Sequence, residues 1–507
     1  MFVVTWFAET KRMTEASDRP LAPAASNVGY PLVLCYFFRR FTKKPCASCR
    51  ISISSLASRN SFSSCFKRFV SVIEIDCIYI GEGRKGIEMA KGKKMSFNAT
   101  WSMAVGGMVG GGIFSVLGII LSIAGQWAWL SFVLAGFIAL ISAHSYSQLS
   151  VKYKKSGGAF TFLNEINHKG LAGSLSWILI IGYILTMAVY AFTFGHYVAY
   201  VLNWGSWLPK VLAFLIIAVL ALVNLRGVGD SSRVEIIMVW GKLFVLLGLS
   251  IFGIIHWNPE QLTAGIEPKS WSTAIVGAAT IFIAYEGFQL LSYDYADIKN
   301  PERTLPRATI SAIIAVIGIY ILVTLGATML VGAETLIQEK EVALAVAGKQ
   351  AFGITGLVLV TIAAAFSTGS AINATLFSTG RLMETVASKK ELPHLFAKEN
   401  QANIPFYAIL TIAGLAAILA AIGTLNTLVD AASLIFLITF GIVNYIGFLE
   451  KVKYRVLSLI GAIACLIAIL LSSYEQLKNN PIPLIIMAFL ILMVWIGRPY
   501  IIKKING

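Results

Sequence analysis

The chain is a succession of long apolar runs separated by short polar loops. From Met95 to Val151 it contains no Asp, Glu, Lys or Arg. At about 20 residues per crossing, that run is long enough for two membrane spans. Ala124-Gly125-Gln126 makes the turn between them, and Trp127 and Trp129 fit an interfacial aromatic belt. Lys152–Lys169 is a polar loop containing Ser156-Gly157-Gly158. Leu171–Leu202 reads as a third span, long enough to tilt, with Trp204, Trp207 and Pro209 at its outer turn. Leu212–Leu225, Ile236–Ile255, Ser270–Tyr293 and Ala308–Val331 read as the fourth to seventh. Glu334–Lys349 is an amphipathic outer loop, Phe352–Thr379 the eighth span, and Arg381–Asn403 a polar segment. Pro405–Ile422, Thr427–Phe448, Val456–Ser472 and Ile482–Trp495 complete twelve.

Charge gives these spans an orientation. Of the 28 Lys and Arg after residue 90, 22 fall on the side of Lys91–Lys94 and five opposite, at Lys210, Lys269, Lys340, Lys349 and Lys478. Cytoplasmic loops carry the excess of Lys and Arg. The expectation is therefore a multi-pass protein of the cell membrane with both termini cytoplasmic. Lys242 is left within a span.

Composition agrees. At 57% hydrophobic and 13% charged residues, a chain of 507 residues is not a soluble globular protein. The formal charge of +16 does not point to nucleic acid, because the basic residues of the main body sit in short loops. The first ninety residues differ from the rest. They hold 13 of the 41 Lys and Arg and five of the six cysteines. Cys46-Ala-Ser-Cys49 is a lone pair without a second one, which argues against zinc. Pro31–Phe38 is too short to span, and the segment lacks the order of a signal peptide. Met89-Ala-Lys-Gly-Lys-Lys-Met95 would make an ordinary start for a membrane protein. Residues 1–95 are therefore expected to be an extension, disordered or upstream of the true start, and residues 96–507 the transmembrane domain. No metal-ligand cluster, nucleophile elbow or phosphate loop is found, so neither an enzyme nor a cofactor is expected.

Two spans carry interruptions. The first holds five glycines between Gly106 and Gly112. Each costs a helix roughly 1 kcal/mol relative to Ala, so the run suggests unwound backbone lining a site. Close helix packing through small residues is the alternative. The sixth span carries Tyr285-Glu286-Gly287-Phe288. Interruptions at corresponding positions of two halves point to a transporter built from inverted repeats, with its site between them. Lys242 in the fifth span is a further candidate, since a central Lys costs about 2.5–3.5 kcal/mol on insertion scales and is functional by default.

Glu286-Gly-Phe, followed by Asp297-Ile-Lys-Asn-Pro-Glu-Arg-Thr-Leu-Pro-Arg-Ala308, resembles the signature of the amino acid–polyamine–organocation (APC) superfamily of permeases. So do Gly110-Gly-Gly-Ile-Phe114, Ser142–Ser150 with Ser156-Gly-Gly158, and Ser370-Ala-Ile-Asn-Ala374 with Arg381 and Leu392-Pro393. Arg233-Val-Glu235 leading to Lys242 is similar to the fifth span of the superfamily's proton-coupled amino acid transporters. The likeness runs from about Ser96 to the end.

The resemblance implies an all-α polytopic membrane protein of 12 transmembrane helices: a 5+5 inverted repeat, broken in helices 1 and 6, plus two peripheral helices. It implies alternating access by a permease, with an amino acid and protons as partners in a lipid bilayer. Backbone N–H groups of Val109, Gly110, Gly111 and Gly112 would take the substrate carboxylate, as half-helix N-termini suit anions. Carbonyls of Ile283, Ala284 and Glu286 would take the amine, with Tyr285, Gly287, Met108 and Phe288 around them. Lys242, beside Ser367 and Ser370, would stand where related carriers hold sodium and would cycle a proton. Glu286 departs from the commoner pattern, in which this position is apolar or small. It either faces the pocket, favouring a cationic amino acid or polyamine or joining proton coupling, or shapes the break. An exchanger of cationic amino acids or polyamines and a channel-like member are the other functions in view. Asp294 and Asp297 are expected to cap the loop near Arg303 and Arg307, and Asp430 to cap the tenth span. His144 and His196 are expected to pack, and Asn373 to be a packing or gating group.

Overall fold

The computed structural model describes residues 94–166, 169–227 and 232–500. The extension expected over residues 1–95, with Cys46 and Cys49, lies outside them except for Lys94 and Met95. The described residues are helical throughout, without a β-strand; two isolated bridges, Met95 to Ile298 and Glu399 to Pro405, join extended segments. Eight helical stretches are long and apolar enough to cross a membrane, the first of which, Phe97–Tyr153, is itself a pair of helices. Phe406–Ile422 and Ile482–Leu492 are shorter apolar helices.

Helix α1 spans Phe97–Ala124, with Ser96 as its N-cap accepting a bond from the Ala99 N–H, and it ends where Gly125 takes a positive φ of 54°. After the turn Gly125–Trp127 come α2 (Ala128–Tyr153), the short α3 (Gly158–Glu165), α4 (Lys169–Leu202), α5 (Leu208–Leu225) and α6 (Ser232–Ile255). The α-helical α7 covers only Thr273–Thr280. From Phe282 to Asp297 the chain makes short 3₁₀ turns. Then follow α8 (Pro301–Val331), α9 (Ala333–Gln338) and α10 (Ala343–Ser388), bent where Phe352 and Gly353 leave helical geometry. Finally come α11 (Phe406–Ile422), α12 (Leu425–Leu449), α13 (Arg455–Asn479) and α14 (Ile482–Leu492).

The break expected at Gly110–Gly112 is absent: α1 is α-helical from end to end. Magnitudes explain why. A helix pays roughly 1 kcal/mol per glycine, whereas each backbone group left unpaired in lipid costs several. The glycines serve instead as close-packing positions. A Cβ on Gly110 would lie 2.5 Å from the Ala371 Cβ, on Gly111 1.9 Å from the Tyr190 ring, and on Gly112 2.6 Å from the Tyr320 hydroxyl. α1 is therefore the central post: 21 of its 28 residues are buried, and α4, α6, α7, α8 and α10 pack around it. By contrast α13 and α14 leave Leu466, Leu470, Ile485 and Phe489 exposed, which suits helices facing lipid.

Gly111→Ala is expected to destabilise the protein by about 1–3 kcal/mol through overpacking. Gly248→Ala, where the added methyl meets nothing within 4 Å, serves as its control. Thermal unfolding of the detergent-purified proteins checks both; equal melting temperatures would refute the packing role.

The expected cap at Asp430 is also corrected. Thr424 caps α12, its Oγ1 accepting from the Thr427 N–H at 3.4 Å. Asp430 lies six positions further in, beyond the two or three amides that a cap side chain can reach.

Side chains tie the ends with abundant Lys and Arg. Lys154 pairs with Glu302 at 2.7 Å, an exposed contact of little net value. Arg498 grips Glu391 Oε2 with Nε at 2.9 Å and Nη2 at 2.6 Å, and both side chains are largely covered.

Candidate functional site

The site is built where α1 meets the interruption that follows α7. The interruption begins after Thr280, and Ser433 of α12 secures its edge. The Ser433 hydroxyl accepts from the Ile283 N–H at 3.0 Å and donates to the Thr280 carbonyl. Glu286 is then extended (φ −64°, ψ 143°), and its N–H donates to the Ile283 carbonyl at 2.9 Å. Gly287 follows with φ 125°, in the region that favours glycine. A Cβ there would lie 2.6 Å from the backbone of Gly107, and one on Gly107 would lie 2.9 Å from the Gly287 Cα. The two main chains touch, and no side chain fits between them.

Around this contact, carbonyl oxygens of α1 are met by side chains from three other helices. Lys242 of α6, 3% exposed, donates from Nζ to the Gly106 carbonyl at 3.0 Å. Ser367 of α10 donates to the Val109 carbonyl at 2.6 Å. The Tyr320 hydroxyl of α8 lies 2.7 Å from the Met108 carbonyl and 2.8 Å from that of Ala284. One O–H proton serves only one of these acceptors, so the spot is rich in acceptor capacity.

Glu286 is 1% exposed. Its carboxylate accepts from the Gln289 Nε2 at 2.8 Å and the Tyr190 hydroxyl at 3.2 Å. The Gln289 Oε1 closes the loop by accepting from the Gly287 N–H at 2.9 Å. Among the described residues no Lys, Arg or His forms a salt bridge with Glu286. Two neutral donors hold a buried carboxylate.

Of the residues singled out from the sequence, Gly110, Gly111, Gly112 and Val109 lie on α1 facing α4, α8 and α10. Ile283, Ala284, Glu286 and Gly287 form the interruption against it. The Tyr285 hydroxyl instead donates to the Phe132 carbonyl of α2 at 2.7 Å. Lys242 and Ser367 meet α1 one helical turn apart, whereas Ser370 bonds to the Ser367 carbonyl of its own helix at 3.0 Å. His144 meets the Lys453 carbonyl and His196 the Phe192 carbonyl, as packing residues do. Asn373 accepts from Asn224 at 2.7 Å, joining α10 to α5.

The sequence reading passed over Tyr190, Gln289, Tyr320 and Ser433. Gln289 had a local signal, since it lies three residues after Glu286. The other three are hydroxyls in apolar spans that also contain Tyr183, Tyr197, Thr324 and Thr439. Only the fold separates those that reach the site.

The amino acid permease family model matches residues 95–500. The inner membrane transport protein YbaT of Escherichia coli is 32% identical over 67% of this chain and 79% of its own length. The serine/threonine exchanger SteT of Bacillus subtilis is 27% identical over 58% of this chain and 67% of its own. Among solved structures, a manganese transporter of Eremococcus coleocola superposes with a TM-score of 0.55 at 13% identity, covering 84% of this chain and 98% of that one. This last likeness is one of fold alone. With a match spanning the whole described region, the chain belongs to the amino acid permease family of the APC superfamily and is a multi-pass membrane transporter, not an enzyme.

Proposed function

We propose that the protein is a secondary active amino acid permease of the cell membrane, both termini cytoplasmic, that carries substrate with protons by alternating access. Its frame is twelve spans: a 5+5 inverted repeat, opened by α1 and by the interrupted stretch Thr273–Ser292, plus α13 and α14 at the periphery. The substrate carboxylate engages the N–H groups of Val109, Gly110, Gly111 and Gly112 when that turn of α1 loosens. The carbonyls of Ile283, Ala284 and Glu286 take the ammonium, with Tyr285 and Gly287 shaping the wall.

One observation carries this reading. In an α-helix, the N–H groups of residues 110, 112 and 113 pair with the carbonyls of 106, 108 and 109. Lys242, Tyr320 and Ser367 already reach those same carbonyls. When the amides of Gly110 and Gly112 turn to a carboxylate, the carbonyls they leave, those of Gly106 and Met108, keep a side-chain partner. Part of the cost of opening a helix in lipid is thereby offset at this turn. The glycines, poor helix formers, lower what remains. Lys242 supplies the coupling: its ammonium lies against α1 at Gly106, and Ser367 meets α1 one turn further on. Losing the proton weakens its hold on Gly106.

Uptake of radiolabelled L-amino acids into proteoliposomes, with and without an inward proton gradient, tests the proposal. Saturable uptake that rises with the gradient is expected. Non-saturable flux would overturn it in favour of a channel. Uptake that requires preloaded amino acid and ignores the gradient would overturn it in favour of exchange.

A further inference from the structure

Opposite the Lys/Arg-rich face, a cavity of about 370 Å³ opens between the α9–α10 turn, the α11–α12 turn and the end of α13. Its walls include Phe192, Lys340, Glu341, Thr424, Asn426 and Asn480. We propose that this cavity is a second amino acid site, a staging point that receives the zwitterion before it reaches the centre. The inference rests on the permease reading above.

Three observations support it. First, Lys340 and Glu341 are adjacent, half-buried and on the same cavity, yet among the described residues neither forms an ion pair or hydrogen bond. A cation and an anion side by side on one wall complement a carboxylate and an ammonium on one carbon. Second, Phe192 and Leu425 supply an apolar wall, and the volume falls in the range of about 300–1,000 Å³ usual for small-molecule sites. Third, the wall of the cavity rests on α1. The Lys340 backbone rests on α1 at Gly118, where an added Cβ would come within 2.3 Å of the Lys340 Cα. A ligand held by Lys340 and Glu341 is thus held on the segment that covers the outer half of α1.

The recognition is by main-chain charges of the substrate. The site therefore accepts L-amino acids broadly and leaves side-chain selection to the centre. A decarboxylated amine or an N-acetylated amino acid, each lacking one charge, binds it poorly.

The test uses the full-length protein in right-side-out and inside-out membrane vesicles. The probe is the best-transported amino acid of the uptake panel. Lys340→Gln/Glu341→Gln is expected to raise KM about tenfold for entry from the cavity side, with maximal rate and KM from the opposite side unchanged. The swapped pair, Lys340→Glu/Glu341→Lys, keeps both charges and is expected to recover most of the affinity. An unchanged KM on both sides, an equal loss on both sides, or no difference between the neutral and swapped variants would overturn the inference. Absence of transport by the unaltered protein in either orientation would instead overturn the permease reading on which it stands.

Discussion

Lys242→Met abolishes proton-driven accumulation while substrate still crosses the membrane. One proton per substrate and one unit of inward pH gradient together supply about 1.4 kcal/mol, enough for roughly tenfold accumulation. In the variant, the internal and external concentrations are expected to settle at the same value. Methionine matches the lysine stem in volume and removes the ammonium that donates to Gly106. Any loss is then attributable to the charge rather than to a cavity. Counterflow of labelled against unlabelled amino acid should persist within about threefold, since the substrate groups proposed on α1 and at residues 283–286 are untouched. Gradient-driven accumulation by Lys242→Met at the unaltered level would refute the coupling role. Simultaneous loss of counterflow would mean that the lysine holds α1 in shape rather than coupling it to protons.

The second large effect falls on Glu286. Glu286→Gln preserves the local bonding pattern: the new amide oxygen accepts from Gln289, and the new N–H₂ donates to the Tyr190 hydroxyl. The fold should therefore survive. What changes is a buried negative charge held by neutral donors. A charge so placed is either neutralised by a proton or completed by a cation, because an isolated buried carboxylate is costly. If a substrate cation completes it, arginine and putrescine compete with neutral amino acids in the unaltered protein, and lose at least about tenfold in the variant. Competition by arginine, putrescine, leucine and serine measures this directly. An unchanged ranking would leave Glu286 with the shape of the break alone. Glu286→Ala is the harsher change. It strands the Tyr190 hydroxyl, at about 1–3 kcal/mol, and leaves the Gln289 Nε2 only its longer bond to the Tyr183 hydroxyl at 3.4 Å, so it should lower thermal stability as well as uptake.

Much of the architecture was legible because lipid permits few solutions. Apolar runs of the required length had to be helices, and Trp and Lys marked their ends. Lys242 could be picked out because a lysine within a span needs a reason. Glu286-Gly287 could be picked out for the same reason, together with the freedom of glycine at positive φ. The glycines of α1 were misread as a break. Their local cost was plain in the sequence, but what offsets it was not. Tyr190, Tyr320 and Ala371 lie far along the chain, and only the packed bundle brings them against Gly111, Gly112 and Gly110. Propensity is a property of a residue and its neighbours, whereas packing is not. Asp430 failed for a smaller reason: α12 starts two residues earlier than the apolar run suggests, which hands the cap to Thr424.

The contact between Gly107 and Gly287 has a consequence for how the protein is made. The two lie 180 positions apart. At about 5–20 residues per second, the ribosome delivers the second roughly 10–40 s after the first. For that interval α1 must enter the bilayer with its glycine face meeting only lipid or the insertion machinery. An unwound segment would expose bare amides there, and a helix does not. Keeping α1 whole until its partners arrive lets its carbonyls meet Lys242, Tyr320 and Ser367 only in the finished bundle.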